Sequence, residues 1–171
     1  SEQGVDGSAR FLNRVWRLVW HRLASIEGVA PFEGDDAELS APLRQLYKKV
    51  HQTIAKVTRD IEDRFHFNTA ISAVMELING LNSFDPQAPR PADLAVVRLA
   101  VETATLLLAP IVPHFAEEIW HALGREGSVL EAPWPTCNEA ALSQDERTIV
   151  VQVNGKLRSR LTVPTGTSRE E

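Results

Sequence analysis

Apolar residues recur every three or four positions through most of the first 125 residues, the spacing of one buried helix face. The pattern predicts a first helix from about Val5 to Ile26, which Gly28 and Pro31 end. A second helix, α2, is predicted over Leu39–Ile61. Its apolar residues form a narrow seam, and we call these residues the α2 seam: Leu39, Leu43, Leu46, Val50, Ile54, Val57 and Ile61.

Three further helices follow from the same spacing. The third is predicted to begin near Asn68, whose side chain suits the N-cap position, and it continues to about Leu81. The fourth, Ala92–Leu108, is apolar on most sides and is therefore expected to lie at the centre of the fold. The fifth runs from Pro113 to Leu123, with Gly124 at the position just past a helix that glycine favours.

The pattern changes from helical to alternating after Gly124. Thr148–Val153 and Lys156–Val163 flank Asn154-Gly155, a dipeptide suited to a two-residue hairpin turn. The predicted fold is therefore mainly α, an antiparallel bundle of about five helices followed by a small β-hairpin appendage.

Three regions are predicted on this basis. Residues 1–125 form a helical domain, residues 126–147 a connector, and residues 148–171 the hairpin. An isolated hairpin is only marginally stable in water. We therefore expect residues 148–171 to be the truncated start of a larger C-terminal segment.

Composition limits the possible partners. Hydrophobic residues make up 43% of the 171 residues and charged residues 24%, as in ordinary globular proteins. The net charge of −5 excludes a protein that coats nucleic acid by bulk electrostatics. The sequence contains no run of about 20 apolar residues, the length that a membrane-spanning helix needs. The single Cys137 permits a reducing, cytoplasmic location.

Positive charge is concentrated on one side of the first predicted helix. Four residues are separated by four, three and four positions and fall within an arc of about 60°; we call them the basic row: Arg10, Arg14, Arg17 and His21. No acidic residue occurs between Asp6 and Glu27. Such a row, about 16 Å long, matches successive phosphates of an RNA backbone. Spacing alone favours the alternative, a face that is solvated or pairs with acids on a neighbouring helix.

The hairpin carries a second, weaker candidate. A two-residue turn places Lys156, Arg158 and Arg160 on one face of the second strand. Charged residues on an edge strand commonly prevent aggregation, and contact with RNA is the alternative.

No catalytic or metal site is predicted. Glu117 and His121 are not accompanied by the second Glu-x-x-His step that a di-iron bundle needs, and helix capping and packing explain them better. Cys137 has no histidine close in sequence to activate it. A glycine-rich phosphate loop and a Gly-x-Ser-x-Gly elbow are both absent from the sequence.

Several segments together resemble one family, the leucyl-tRNA synthetases of bacteria and organelles. The similarity covers nearly the whole chain in order. The segments that carry it are Gly4–Val19, His51–Thr58 with Asp60–Glu62, Phe67–Ile71 with Met75–Leu77, Leu108–His114 with Glu117–Trp120, and Val151–Arg158 running to Val163-Pro164.

The resemblance implies a parent enzyme that activates leucine with ATP and magnesium and transfers it to tRNA(Leu). It implies no cofactor for this fragment, whose partners would be tRNA(Leu) and the remaining domains of a monomeric synthetase. The family's helical domain places the tRNA rather than reading anticodon bases, and its tRNA-contacting arginines match Arg10 and Arg14. Arg17 and His21 extend that set by geometry only, and Lys156 and Arg158 are further candidates.

Two other functions stay open at this point. A helical protein-interaction module would offer the α2 seam to a partner helix, which requires that seam to be uncovered. The equivalent domain of an isoleucyl-, valyl- or methionyl-tRNA synthetase would keep the Pro113-His114 helix but not the Asn154-Gly155-Lys156 hairpin in this form.

Overall fold

The computed structural model describes residues 2–62, 65–142, 146–153 and 156–164. It divides into two compact units, Ser1–Ala141 and Leu142–Glu171. The first unit contains the helices and the second contains two strands. The predicted boundaries at residues 125 and 147 stay a prediction.

Five α-helices make up most of the first unit, which confirms the mainly helical fold. Two short 3-10 helices accompany them, at Asp36–Glu38 and Ala140–Leu142. The α-helices are α1 (Glu2–Ile26), α2 (Ala41–Glu62), α3 (Phe67–Ser83), α4 (Pro91–Leu108) and α5 (Pro113–Ala122). No helix in the described part of the chain is both long and apolar enough to cross a lipid bilayer.

The core forms around α4, as its apolar sequence predicts. This helix contacts α1, α2, α3 and α5. Val96, Ala100 and Leu107 on α4 are fully buried. Polar residues are also buried on this helix, and the most consequential are Arg98 and Glu102.

Helix ends follow the local chemistry of the sequence, with one correction. Gly28 and Gly124 have φ angles of 69° and 73°, and glycine adopts this left-handed conformation without strain. The prediction that Asn68 caps α3 is wrong, because the helix begins at Phe67 with His66 at the N-cap. Phe65 adopts a positive φ of 51°, which turns the chain into the new helix earlier than the side-chain chemistry of Asn68 suggests.

The segment after Gly124 packs on the helices of the first unit up to Ala141. Trp134 Nε1 donates to Thr58 Oγ1 at 2.8 Å. The backbone N–H of Asn138 donates to His51 Nδ1 at 3.0 Å, and its side-chain amide donates to the Tyr47 hydroxyl. These contacts fasten the segment along α2.

The second unit contains strands β1 (Glu146–Val153) and β2 (Lys156–Pro164), which pair antiparallel. The register runs from Glu146 opposite Pro164 to Val153 opposite Lys156, with an irregularity between Val151 and Gln152. Asn154-Gly155 lies outside the described residues. The two-residue turn and the hairpin appendage therefore stay predictions.

Candidate nucleic-acid interface

Helix α1 has one buried face and one charged face. Phe11, Val15 and Val19 are buried in the core, as their spacing predicts. The four residues of the basic row (Arg10, Arg14, Arg17, His21) are all exposed. The helix is thus anchored on one side and leaves the row accessible on the other.

No carboxylate neutralises the basic row within the described residues, because none of its four members takes part in an ion pair there. Its one ring contact places the Arg14 guanidinium 5.8 Å from the centre of the Phe11 ring. Like charges at helical spacing repel by a few tenths of a kcal/mol per pair. An anion facing the row would relieve this repulsion.

A groove of about 950 Å³ runs beside the row. We call it the α1 groove. One wall is α1 itself, and the other is formed by Asn82 near the end of α3 and Asp85 in the loop that follows. The groove is lined by Arg10, Asn13, Arg14, Arg17, Leu18, His21, Arg22, Asn82 and Asp85. The structure therefore brings together the four members of the row and adds polar residues opposite them.

Arg22 joins the two walls of the α1 groove, and the sequence analysis missed it. Its Nη2 donates to the Phe84 carbonyl oxygen at 2.6 Å, and its Nη1 lies 3.1 Å from Asp85 Oδ1. The Arg22 side chain is only 15% exposed, whereas that of Asp85 is 68% exposed. A signal was present in the sequence: Arg22 lies four residues after the buried Leu18, on the same side of the helix. A charge that becomes buried there needs a hydrogen-bond partner.

A buried charge network fixes the end of α1. Arg98 Nη1 donates to the Ile26 carbonyl oxygen at 3.0 Å, and Nη2 donates to the Leu123 carbonyl oxygen at 2.6 Å. Its Nε donates to Glu102, which also accepts two hydrogen bonds from Arg125. Those bonds raise the pKa of Arg125. One guanidinium thus ties the ends of α1 and α5 to α4.

Lys156 and Arg158 belong to β2, and their side chains lie outside the described part of the chain. Their predicted contact with RNA stays a prediction.

Glu117 serves as a packing residue. Its Oε2 accepts from Ser128 Oγ and the Val129 N–H, both at 3.0 Å, and its Oε1 lies 3.1 Å from His121 Nε2. Loss of hydration opposes ionisation, but these hydrogen bonds outweigh it and lower the pKa of Glu117. Among the described residues, no group of three or more His, Cys, Asp or Glu is placed to hold a metal ion.

Cys137 packs against α2 as an unreactive thiol. Its Sγ contacts the His51 carbonyl oxygen at 3.4 Å. Burial, helped by Glu139, raises the pKa of the thiol, so the reactive thiolate is disfavoured.

The α2 seam is covered inside the chain. Leu39, Leu43, Leu46, Val50, Ile54 and Val57 are buried, and Ile61 packs against the same core. A protein-interaction module that uses this seam would need it to be free. The seam therefore offers no docking face.

Comparison with known proteins gives one consistent result. A family model described as the anticodon-binding domain of tRNA ligase matches residues 44–171. The leucine–tRNA ligase of Desulfatibacillum aliphaticivorans is 52% identical over 100% of this chain and 20% of the relative, and that of Geotalea daltonii is 51% identical with the same coverage. The chain therefore spans about one-fifth of the length of these relatives.

A solved structure is similar in fold. It is the ternary complex of Agrobacterium radiobacter K84 agnB2 LeuRS with tRNA and LeuAMS. The TM-score is 0.83 at 32% sequence identity, over 99% of this chain and 21% of that one.

Proposed function

Because this chain belongs to the family of anticodon-binding domains of tRNA ligases, we propose that it is the helical tRNA-binding domain of a leucine–tRNA ligase. Its role is to hold tRNA(Leu) in place while a catalytic domain outside this chain attaches leucine. The α1 groove is the surface that receives the RNA.

The observation that carries the proposal is the unpaired basic row on the exposed face of a helix whose other face is buried. Arginine suits phosphate because its planar guanidinium presents several N–H donors to the phosphate oxygens. From Arg10 to His21 the row rises about 16 Å along the helix axis, so it can face several successive phosphates. Phosphate contacts fix position and register without reading sequence.

The negative net charge supports local docking rather than general attraction to nucleic acid. A chain with a net charge of −5 repels RNA over much of its surface. Binding therefore depends on the few cations that no carboxylate neutralises. This fits placement of the tRNA better than recognition of its bases.

For the parent enzyme we propose ligation of leucine to tRNA with ATP and magnesium, a monomeric state and a cytoplasmic location. The paired strands β1 and β2 are the start of a C-terminal segment in this view, and Lys156 and Arg158 on β2 would extend the contact with RNA.

The proposal is tested by salt-dependent binding of tRNA(Leu) to the Arg10→Ala, Arg14→Ala and double variants. Each substitution removes one phosphate contact. We expect it to weaken binding and to reduce the slope of log affinity against log salt by about one unit. Arg59→Ala is the matched control, because Arg59 is also exposed but does not line the groove.

The same variants, placed in the full ligase, should also lower the rate of leucylation. Circular dichroism should show unchanged helix content, since both side chains are exposed. If the double variant binds and charges tRNA as well as Arg59→Ala does, the basic row is a solvated face and the proposal is wrong.

A further inference from the structure

The two walls of the α1 groove differ in charge, so an RNA strand must present different chemical groups to each wall. The α1 wall carries the basic row. The opposite wall carries Asn82 in the last turn of α3 and Asp85 just beyond it. A helix also has a partial negative charge of about half an elementary charge at its carboxyl end. The opposite wall is therefore rich in acceptors.

Asp85 is held in place and yet available. Arg22 pairs with Oδ1 and bonds to the neighbouring Phe84 carbonyl oxygen, so the start of the loop is tied to α1. The Asp85 side chain remains 68% exposed. An ionised carboxylate has about four acceptor positions, so pairing with one guanidinium leaves it able to accept from a ligand.

A sugar-phosphate backbone in this groove has only one favourable orientation. Phosphates are attracted to the α1 wall and repelled by Asp85. The groups that turn towards Asp85 must therefore be hydrogen-bond donors. The bases also carry N–H donors, but these vary with sequence. The donor that every nucleotide of the strand offers is the ribose 2′-hydroxyl, which DNA lacks.

We propose that Asp85, positioned by Arg22, accepts a hydrogen bond from a ribose 2′-hydroxyl and so makes the α1 groove selective for RNA. Asn82 lies on the same wall and offers an amide to the same edge of the strand. This inference rests on the proposed function, because it assumes that RNA occupies the groove. It adds a specificity-determining residue that contributes no charge attraction of its own.

The experiment compares the affinity of this chain for tRNA(Leu) with its affinity for the same tRNA carrying fluorine in place of each 2′-hydroxyl. Both ligands have the same phosphates, but fluorine cannot donate a hydrogen bond. The measured quantity is the ratio of the two affinities. Dividing the ratio for a variant by that for the unmodified chain cancels any effect of fluorine on the RNA alone.

Asp85→Ala should reduce the preference for the hydroxyl-bearing tRNA by about three- to tenfold, the range of one ordinary hydrogen bond. The affinity for the fluorinated tRNA should rise slightly, because a negative charge is lost, while the affinity for the hydroxyl-bearing tRNA should fall, because its hydrogen bond is lost. Asp85→Asn keeps one neutral acceptor oxygen and should give an intermediate ratio. Glu118→Ala is the control: it removes the same charge from an exposed site that does not line the groove, and it should leave the ratio unchanged.

If Asp85→Ala and Glu118→Ala give the same ratio, Asp85 reads no hydroxyl and this inference is wrong, while the role of the basic row stands. If the unmodified chain binds both tRNAs with no dependence on Arg10 and Arg14, the proposed function fails and this inference fails with it. Circular dichroism confirms that each variant is folded.

Discussion

Arg98 offers the strongest test of what holds α1 in place. Arg98→Met fills much of the same volume but removes the guanidinium that serves the carbonyl oxygens of Ile26 and Leu123. The Ile26 carbonyl oxygen still accepts from the Val29 N–H, so it loses one hydrogen bond of two, worth about 0.5–1.5 kcal/mol. The Leu123 carbonyl oxygen is left without a donor among the described residues, which costs about 1–3 kcal/mol. Glu102 keeps Arg125 as a partner. We therefore expect the free energy of unfolding to fall by about 2–4 kcal/mol.

Urea unfolding followed by the helical circular dichroism signal measures this loss. Arg59→Met makes the same chemical change at an exposed site and should stay within about 0.5 kcal/mol of the unmodified chain.

A second variant tests whether charge is the cause. Glu102→Leu alone leaves the Arg98 guanidinium buried without its carboxylate and should be strongly destabilising. In the double variant Arg98→Met/Glu102→Leu, that unpaired cation is gone, so the combined loss should be smaller than the sum of the two single losses. Arg125 is 39% exposed and can be solvated instead. A loss below about 1 kcal/mol for Arg98→Met, or strictly additive losses, would refute the reasoning.

Two further predictions concern pH and backbone conformation. Burial lowers the pKa of His51 from 6.5, against the opposing effect of Asp36. As the pH falls, the unfolded chain therefore binds a proton before the folded chain does, so the melting temperature should fall below about pH 6.5. His51→Gln should flatten that dependence, and a variant whose pH profile matches that of the unmodified chain would contradict this prediction. Gly124→Ala meets no atom within 4 Å but must keep a φ of 73°, so thermal melting should show a loss of about 1–2 kcal/mol. Gly7→Ala in α1 should instead gain about 0.5–1 kcal/mol, and equal effects at the two sites would contradict the strain argument.

The helices could be predicted because their signals are local. The α2 seam needed only the spacing of neighbours three and four residues apart, and its burial follows from that spacing. The basic row was found in the same way. The resemblance to leucyl-tRNA synthetases is confirmed by the relatives and by the family match.

The opposite wall of the groove could not be predicted, because its contacts join distant parts of the chain. Arg22 and Phe84 are 62 residues apart, and His51 and Asn138 are 87 apart. No periodicity within one helix reports which loop will lie beside it. The start of α3 was misjudged for a related reason: the turn at Phe65 depends on an unusual backbone conformation that its residue type does not favour.

The uneven charge of the first unit also affects how fast a partner arrives. If the proposed function holds, the unpaired cations of the basic row attract an approaching polyanion, while the net charge of −5 repels it from the rest of the chain. Wrongly oriented collisions are repelled before contact, so a larger share of encounters begins in the productive orientation. The gain is one of association rate, and added electrolyte shortens the range over which these charges act.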